Sequence, residues 1–369
     1  MKNKYNYDDF IVVSSSCKIT KGRNRTLITD YLRNELYFIT NDYCELLNKI
    51  DRKSIKEILL FIDETSIESF YDFVSFLVEN EICFFTKNSE QFPVRKNERD
   101  AYEHIKDAII EIDITYFDED LFKKNISELN LLKCNDLQLR ILSNIDFVQL
   151  KNILNIVNCT SINYTELHLT YSKEINQKKI FSLIEKYAIL SHIYIYSSPK
   201  NDIIEFNIKK ENYYQLLLGN IYYIKDDFNS GDCCGNISLN SLAFENIDTH
   251  NLLKKTNGCL FKKISIDKKG FIKNCPSIVK EFGNSKSINL IDVINTNEFN
   301  KLGLINKDEI EICKECEFRY NCTDCRAFLS NPNDILSKPL KCGYNLDTFE
   351  WEDWSSNTLK NKGKFYENI

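Results

Sequence analysis

The segment CKECEFRYNCTDC, residues 313–325, places four cysteines in thirteen positions, as two CxxC pairs separated by a five-residue spacer. Two residues three apart around a tight turn can bring both sulfurs to one ion. Free backbone N–H groups in such a turn hydrogen-bond the thiolates and offset their charge. One CxxC is a weak signal, but here two are joined by Cys233, Cys234, Cys259, Cys275 and Cys342 in the same part of the chain. The remaining cysteines, Cys17, Cys44, Cys83, Cys134 and Cys159, are isolated, and a lone Cys among apolar neighbours is a small core residue.

Bulk properties say where such a cluster operates. The 369 residues are long enough for two or three domains, and 43% of them are hydrophobic, so ordinary cores can form. The N-terminus lacks the basic, apolar, small-residue order of a signal peptide, and no apolar run approaches the roughly 18 residues a membrane span needs. A cytoplasmic protein with no membrane partner is the expectation, and in a reducing compartment clustered cysteines argue for metal ligation over disulfides. The net charge is −6, with no long Lys/Arg run, which argues against a nucleic-acid partner. No GxSxG, Walker loop, HExxH or dinucleotide fingerprint occurs. The four histidines, His104, His168, His192 and His250, are dispersed, and His168 and His192 fall in strand-like runs where a structural role is commoner than catalysis.

The N-terminal stretch reads as three strands, IVVSSSCKI, RTLITDYL and ELYFIT, then helices over about 42–50, 53–62 and 66–80, closed by the apolar run ICFF. Strands followed by three helices resemble the winged-helix precursor-recognition domain of ribosomal-peptide pathways. That resemblance implies a leader peptide added as a strand beside the third strand and packed on the third helix. The implied contacts are Leu36, Tyr37 and Phe38 on the strand, and Phe73 and Phe76, which lie off the helix's main apolar stripe. Lys18, Lys21, Arg23 and Arg25 would greet an acidic peptide or form a solvated hairpin.

A polar stretch near residue 90, KNSEQFPVRKNERD, marks a boundary before a helix at about 99–106. Beyond it AIIEIDITYF, LQLRIL, TELHLTYS and HIYIYS alternate with helical segments starting near 119, 146 and 176, the pattern of a parallel sheet or partial barrel.

Four thiolates suit zinc and iron–sulfur clusters alike. The run CLFKKISIDKKGFIKNCPS at 259–277, the CKECEFRYNCTDCRAF block and the ending KCGYNLDTFEWEDWS together resemble the SPASM domain of radical-SAM peptide-modifying enzymes. They are most similar to the grasp-with-spasm peptide maturases. The family pattern C-x2-C-x5-C-x3-C is shortened by one residue at Cys325. The resemblance implies two interleaved [4Fe–4S] clusters, one on Cys313, Cys316, Cys322 and Cys342, the other on Cys259, Cys275 and Cys325 with Cys234 or Cys233, or with an open iron site. Arg319 and Arg326 would offset the clusters' charge, while Phe318 and Tyr320 would shield them. A radical-SAM barrel carries CxxxCxxC after its first strand, and this chain has none, so no S-adenosylmethionine is expected.

The expected architecture is therefore α/β in three parts: a winged-helix-like leader-recognition domain at 1–90, a degenerate radical-SAM-like partial (β/α) barrel at 91–228, and a cysteine-rich SPASM domain at 229–369. The resemblance implies an accessory maturation protein with a precursor peptide and an ATP-grasp peptide ligase as partners. Alternatives are an enzyme working through an auxiliary cluster and a zinc-stapled scaffold.

Overall fold

The computed structural model describes residues 6–93, 103–209, 216–228, 236–244 and 246–352. Cys233 and Cys234 fall outside them, as does the first half of the helix expected near 99–106; its second half, 103–106, is described and is not helical.

The N-terminal part runs β1 (Phe10–Val13), β2 (Cys17–Lys21), β3 (Thr26–Asp30), β4 (Glu35–Ile39), α1 (Asn41–Ile50), α2 (Ile55–Leu59), α3 (Ile67–Glu79) and β5 (Cys83–Thr86). β2, β3 and β4 form the antiparallel meander. The first expected strand, however, divides at residues 14–16. β1 leaves the meander to pair antiparallel with β5, because its apolar FIVV run finds an apolar partner in CFFT. Caps set the helix starts: the Thr40 side chain accepts from Tyr43 N, and Ser54 and Glu57 form a capping box at α2. α3 is apolar over a wider arc than a single stripe. Phe73 is only 5% exposed and stacks on Tyr43 at 4.4 Å, so it is core packing with almost no free surface.

The central sheet has eight strands: β6 (Asp107–Ile112), β7 (Asp136–Ile141), β8 (Tyr164–Thr170), β9 (Leu190–Tyr196), β10 (Asp202–Lys209), β11 (Leu216–Tyr223), β12 (Lys263–Ile266) and β13 (Ile272–Lys273). Their order is β10-β11-β9-β8-β7-β6-β12-β13. The six inner strands are parallel and the two edge strands antiparallel. Crossovers pass through α4 (Glu119–Leu131), α5 (Phe147–Asn158) and α6 (Gln177–Lys186). Later come α7 (Ile247–Leu253), α8 (Leu290–Ile294) and α9 (Asn297–Asn300). β12 and β13 lie beyond residue 229, so this one sheet takes strands from both sides of the expected domain line. Among the described residues no helix is long and apolar enough to cross a membrane.

The sheet's two faces differ chemically because side chains alternate. Ala108, Ile110, Leu137, Leu139, Leu167, Leu169, Ile193 and Ile195 join a core with Phe122, Leu129, Ile153 and Leu183 of the helices. The opposite face is polar and aromatic. Glu111, Arg140, His168, Tyr194 and Tyr222 stand in one register row, with Gln138, Glu166, His192 and Asn220 in the next. His168 stacks on Tyr194 at 4.5 Å, and Tyr194 on Tyr222 at 4.7 Å. Such a face on a mostly parallel sheet departs from the two-sided apolar rule.

The N-terminal part is docked on the cysteine-rich part. Gly22 lies so close that an added Cβ would sit 3.0 Å from Glu317 Cβ. Lys21 pairs with Glu45 and Arg23 with Glu315 and Asp347 in solvated contacts, while Arg25, contrary to the expectation of a peptide-greeting or solvated hairpin, pairs with the buried Glu317. Arg319 donates to Lys21 O, and Phe38 meets Phe318 edge-on.

His250 of α7 sits in this interface at 1% exposure, accepting from Tyr31 Oη at 3.0 Å while Asn321 donates to that hydroxyl. Burial, then the nearby Lys254, Lys18 and Arg319, push its pKa down from 6.5 to about 3. A histidine kept neutral in the folded state confers stability that is complete above pH 6.5 and is lost as pH falls toward 3. The expected loss over that window is roughly 4–5 kcal/mol in urea titrations, and His250→Phe should flatten the slope.

Candidate metal centre

The CxxC turn at 313–316 is built locally. Residues Cys313–Glu315 form a 3-10 turn, and Cys316 N donates to Cys313 O at 2.9 Å. Ile312, just before it, has φ +64°, a conformation that strains a β-branched residue; Asp324, just before Cys325, has φ +71°. Cys342 comes from far along the chain, beside a single bridge to Ile237, whose N–H donates to Lys341 O and whose carbonyl accepts from Gly343 N.

These pieces put Cys313, Cys316, Cys322 and Cys342 on one cavity of about 30 Å³, walled by Leu242, Phe318, Pro339, Tyr344 and Trp351. Burial pushes the Cys313 thiol up to about 12, with Lys307 opposing and the Cys322 and Cys342 thiols adding to the rise. Burial likewise raises Cys316 and Cys342. Such thiols ionise only when a cation offsets the cost, as a metal does. The donor set, four sulfurs around a space that apolar walls enclose, is chemically that of an iron–sulfur cluster or a zinc site. Such a cluster, when bound, supplies electron transfer or structural cross-linking at this point. Among the described residues, no three His, Cys, Asp or Glu side chains converge as closely as the ligands of a single ion do.

Of the two arginines expected to offset the clusters' charge, Arg319 lines the cavity and Arg326 does not. Arg319 is spent on Asp308 and backbone carbonyls, and Arg326 on Asp324 at 2.6 Å and the carbonyls of Ile335 and Ser337. Lys307, Arg319 and Lys338 all line the thiol cavity, and of these Lys307 is 3% exposed, donating to Cys322 O at 3.0 Å and lying 3.8 Å from Asp324. Burial works against its charge, but Cys322 and Asp324 together hold its pKa above the usual lysine value. No sequence signal marks Lys307, since LINKDEI reads as a solvated turn. Phe318 lines the cavity as a shield would. Tyr320 instead donates its hydroxyl to Asp308.

Cys259, Cys275 and Cys325 are not on this cavity. Cys275 and Cys325 are buried, and Cys259 is half-buried with Lys263 Nζ 3.9 Å from its sulfur. The chain before Cys259 packs on the chain before Cys325: Asn257 donates to Asp324 at 2.6 Å, and Gly258 abuts Thr323. Of the implied leader contacts, Phe76 meets Tyr37 edge-on at 6.0 Å beside β4, which has β3 as its only strand partner among the described residues. Leu36 packs toward Phe318 and Tyr344, and Phe38 is 43% exposed under the Arg25 guanidinium.

No family model matches the chain, and no curated protein matches it in sequence. Among solved structures it is similar to Streptococcus suis SuiB bound to S-adenosylmethionine, over 89% of this chain and 99% of that one, at 10% identity and a TM-score of 0.32. It is similar to SuiB bound to precursor peptide SuiA over 86% and 96%, at 10% identity and a TM-score of 0.30. Scores this low fall short of a shared fold, and the functional reading rests on the residues of this chain alone.

Proposed function

We propose that this chain is an iron–sulfur accessory protein for maturation of a ribosomally made peptide, holding a precursor by its leader and presenting the core to an ATP-grasp ligase. The observation that carries this is the buried cavity shared by Cys313, Cys316, Cys322 and Cys342, with the N-terminal part docked directly beside it. In this reading residues 1–90 are the leader-recognition domain, 91–228 a degenerate partial barrel without S-adenosylmethionine, and 229–369 the cluster domain. Cys259, Cys275 and Cys325 with Cys233 or Cys234 hold a second cluster. The leader pairs with the outer edge of β4, against Tyr37 and Phe76.

Anaerobically purified protein is expected to hold about eight irons and eight sulfides, and Cys316→Ser about four of each. A fluorescent leader peptide should bind wild type and lose at least about tenfold in affinity to Tyr37→Ala/Phe76→Ala, the scale of losing a well-packed aromatic anchor. Zinc without sulfide would replace the clusters by a structural staple; leader affinity unchanged in the double variant would remove the recruitment site.

One observation favours a second reading, an enzyme using its own cluster: Cys259 lines a large cavity on the sheet's polar face. Cys259→Ser separates the two. Loss of crosslinking with leader binding intact would mean the cluster takes part in the modification.

A further inference from the structure

The polar face of the sheet holds a cavity of about 680 Å³, in the size range of sites for small molecules. It opens at the N-terminal ends of four parallel strands. Lys263, Asp107, Asp136 and Tyr164 are the first residues of β12, β6, β7 and β8, and they stand side by side in register at its rim. One step along the strands lie Gln138, Glu166 and His192, while Cys259 and Thr323 close the cavity from the cysteine-rich side.

The lining is acidic. Asp107, Asp136 and Glu166 face one lysine, Lys263, whose Nζ already lies near the Cys259 sulfur. Hydrogen bonding with His168 and Gln138 outweighs burial and brings the Glu166 pKa down to about 2, so this carboxylate stays ionised. At Asp107 burial outweighs the opposing charges of Lys106 and Lys263, and the neighbouring Asp136 and Glu166 add to the rise, so its pKa is pushed up. A cation in the cavity would relieve that cost.

An unpaired polar atom gives an independent indication. His192 Nδ1, on the cavity wall, is buried without a hydrogen-bond partner. Buried polar atoms seldom stay unpaired unless a ligand or water completes them. A single metal ion is a poor occupant, because among the described residues no three ligating side chains converge on one point. The space is also far larger than an ion.

We propose that this cavity binds an organic cation, the guanidinium or ammonium of a peptide side chain, between Asp107, Asp136 and Glu166. The inference goes beyond leader recruitment and requires no cluster chemistry, so it stands or falls separately from iron content and leader affinity.

The test is calorimetric titration of the full-length, cluster-loaded protein with acetyl-Gly-Arg-Gly-amide and acetyl-Gly-Lys-Gly-amide. The citrulline and norleucine peptides serve as neutral counterparts, and free spermidine as a non-peptide cation. A charged peptide should bind at least about tenfold more tightly than its neutral counterpart, and Asp107→Asn and Glu166→Gln should each remove about tenfold or more, the scale of one charge-assisted hydrogen bond. Asp202→Asn, on the edge strand β10, should change nothing. Thermal unfolding checks each variant, with Asp136→Asn replacing one that fails to fold. Equal binding of arginine and citrulline peptides overturns the proposal, as does undiminished binding to the folded variants. Binding of spermidine without either peptide overturns the peptide as the source.

Discussion

Arg25→Leu is expected to destabilise the protein by about 3–5 kcal/mol in chemical denaturation and to release the N-terminal part to proteolysis, because it strands a buried carboxylate. Glu317 is 1% exposed and lies between Cys316 and Phe318. Its carboxylate receives Arg25 Nε at 2.6 Å and the Tyr344 hydroxyl, which itself receives Arg25 Nη2 at 3.0 Å. The guanidinium lies between two rings, 3.8 Å from the centre of Phe38 and 4.1 Å from that of Phe349, and aromatic faces add to its attraction. Arg25→Leu/Glu317→Leu should recover most of the loss, since it leaves no charge behind. Arg23→Ala should leave the denaturation midpoint nearly unchanged, because Arg23 and Glu315 are both more than two-fifths exposed and water screens them. If Arg25→Leu proves as mild as Arg23→Ala, the docking does not depend on this pair. Since Phe38 belongs to β4 and Glu317 adjoins Cys316, the same contact joins the proposed leader edge to the thiol cavity.

Gly219→Ala is the second large effect, expected at about 3 kcal/mol or more. Gly219 lies in β11 between β9 and β10, and a Cβ there would sit 1.8 Å from Ser191 O and 2.3 Å from Phe206 Cζ. The Phe206 ring, 4% exposed, could swing aside, but the Ser191 carbonyl belongs to the neighbouring strand's backbone and moves only if β9 and β11 part. His192 follows Ser191, so a shift there should also weaken cation binding in the sheet cavity. Ile203→Ala on β10 is the control: Ile203 is 62% exposed, and its removal should stay within about 0.5 kcal/mol. A Gly219→Ala variant as stable as this control would mean that the β9–β11 pairing is looser than drawn.

The elements themselves were legible because their signals are local. The helix expected over 42–50, the helical segment starting near 146 and the alternation of TELHLTY are each written within about a dozen residues, and these three formed where their patterns lay. The CxxC spacing is local in the same sense: Cys313 and Cys316 are brought together by one turn. Partnership is different, because it depends on which distant surfaces bury each other. Nothing within FIVV says that it leaves the meander for CFFT, and nothing within KISI says that it extends the sheet beside β6. Arg25 reads as a solvated hairpin charge until Glu317 is placed against it. Lys307 reads as a surface lysine until packing of the cysteine-rich loops encloses it. Asp107, Asp136 and Glu166 are scattered through 60 residues, and only strand register makes them neighbours. The sequence by itself determined which segments form helices, strands and thiol-bearing turns, through backbone sterics and short-range periodicity. The tertiary structure alone decided which charges are buried and which polar side chains share a cavity, because burial and register are properties of segments far apart in the chain.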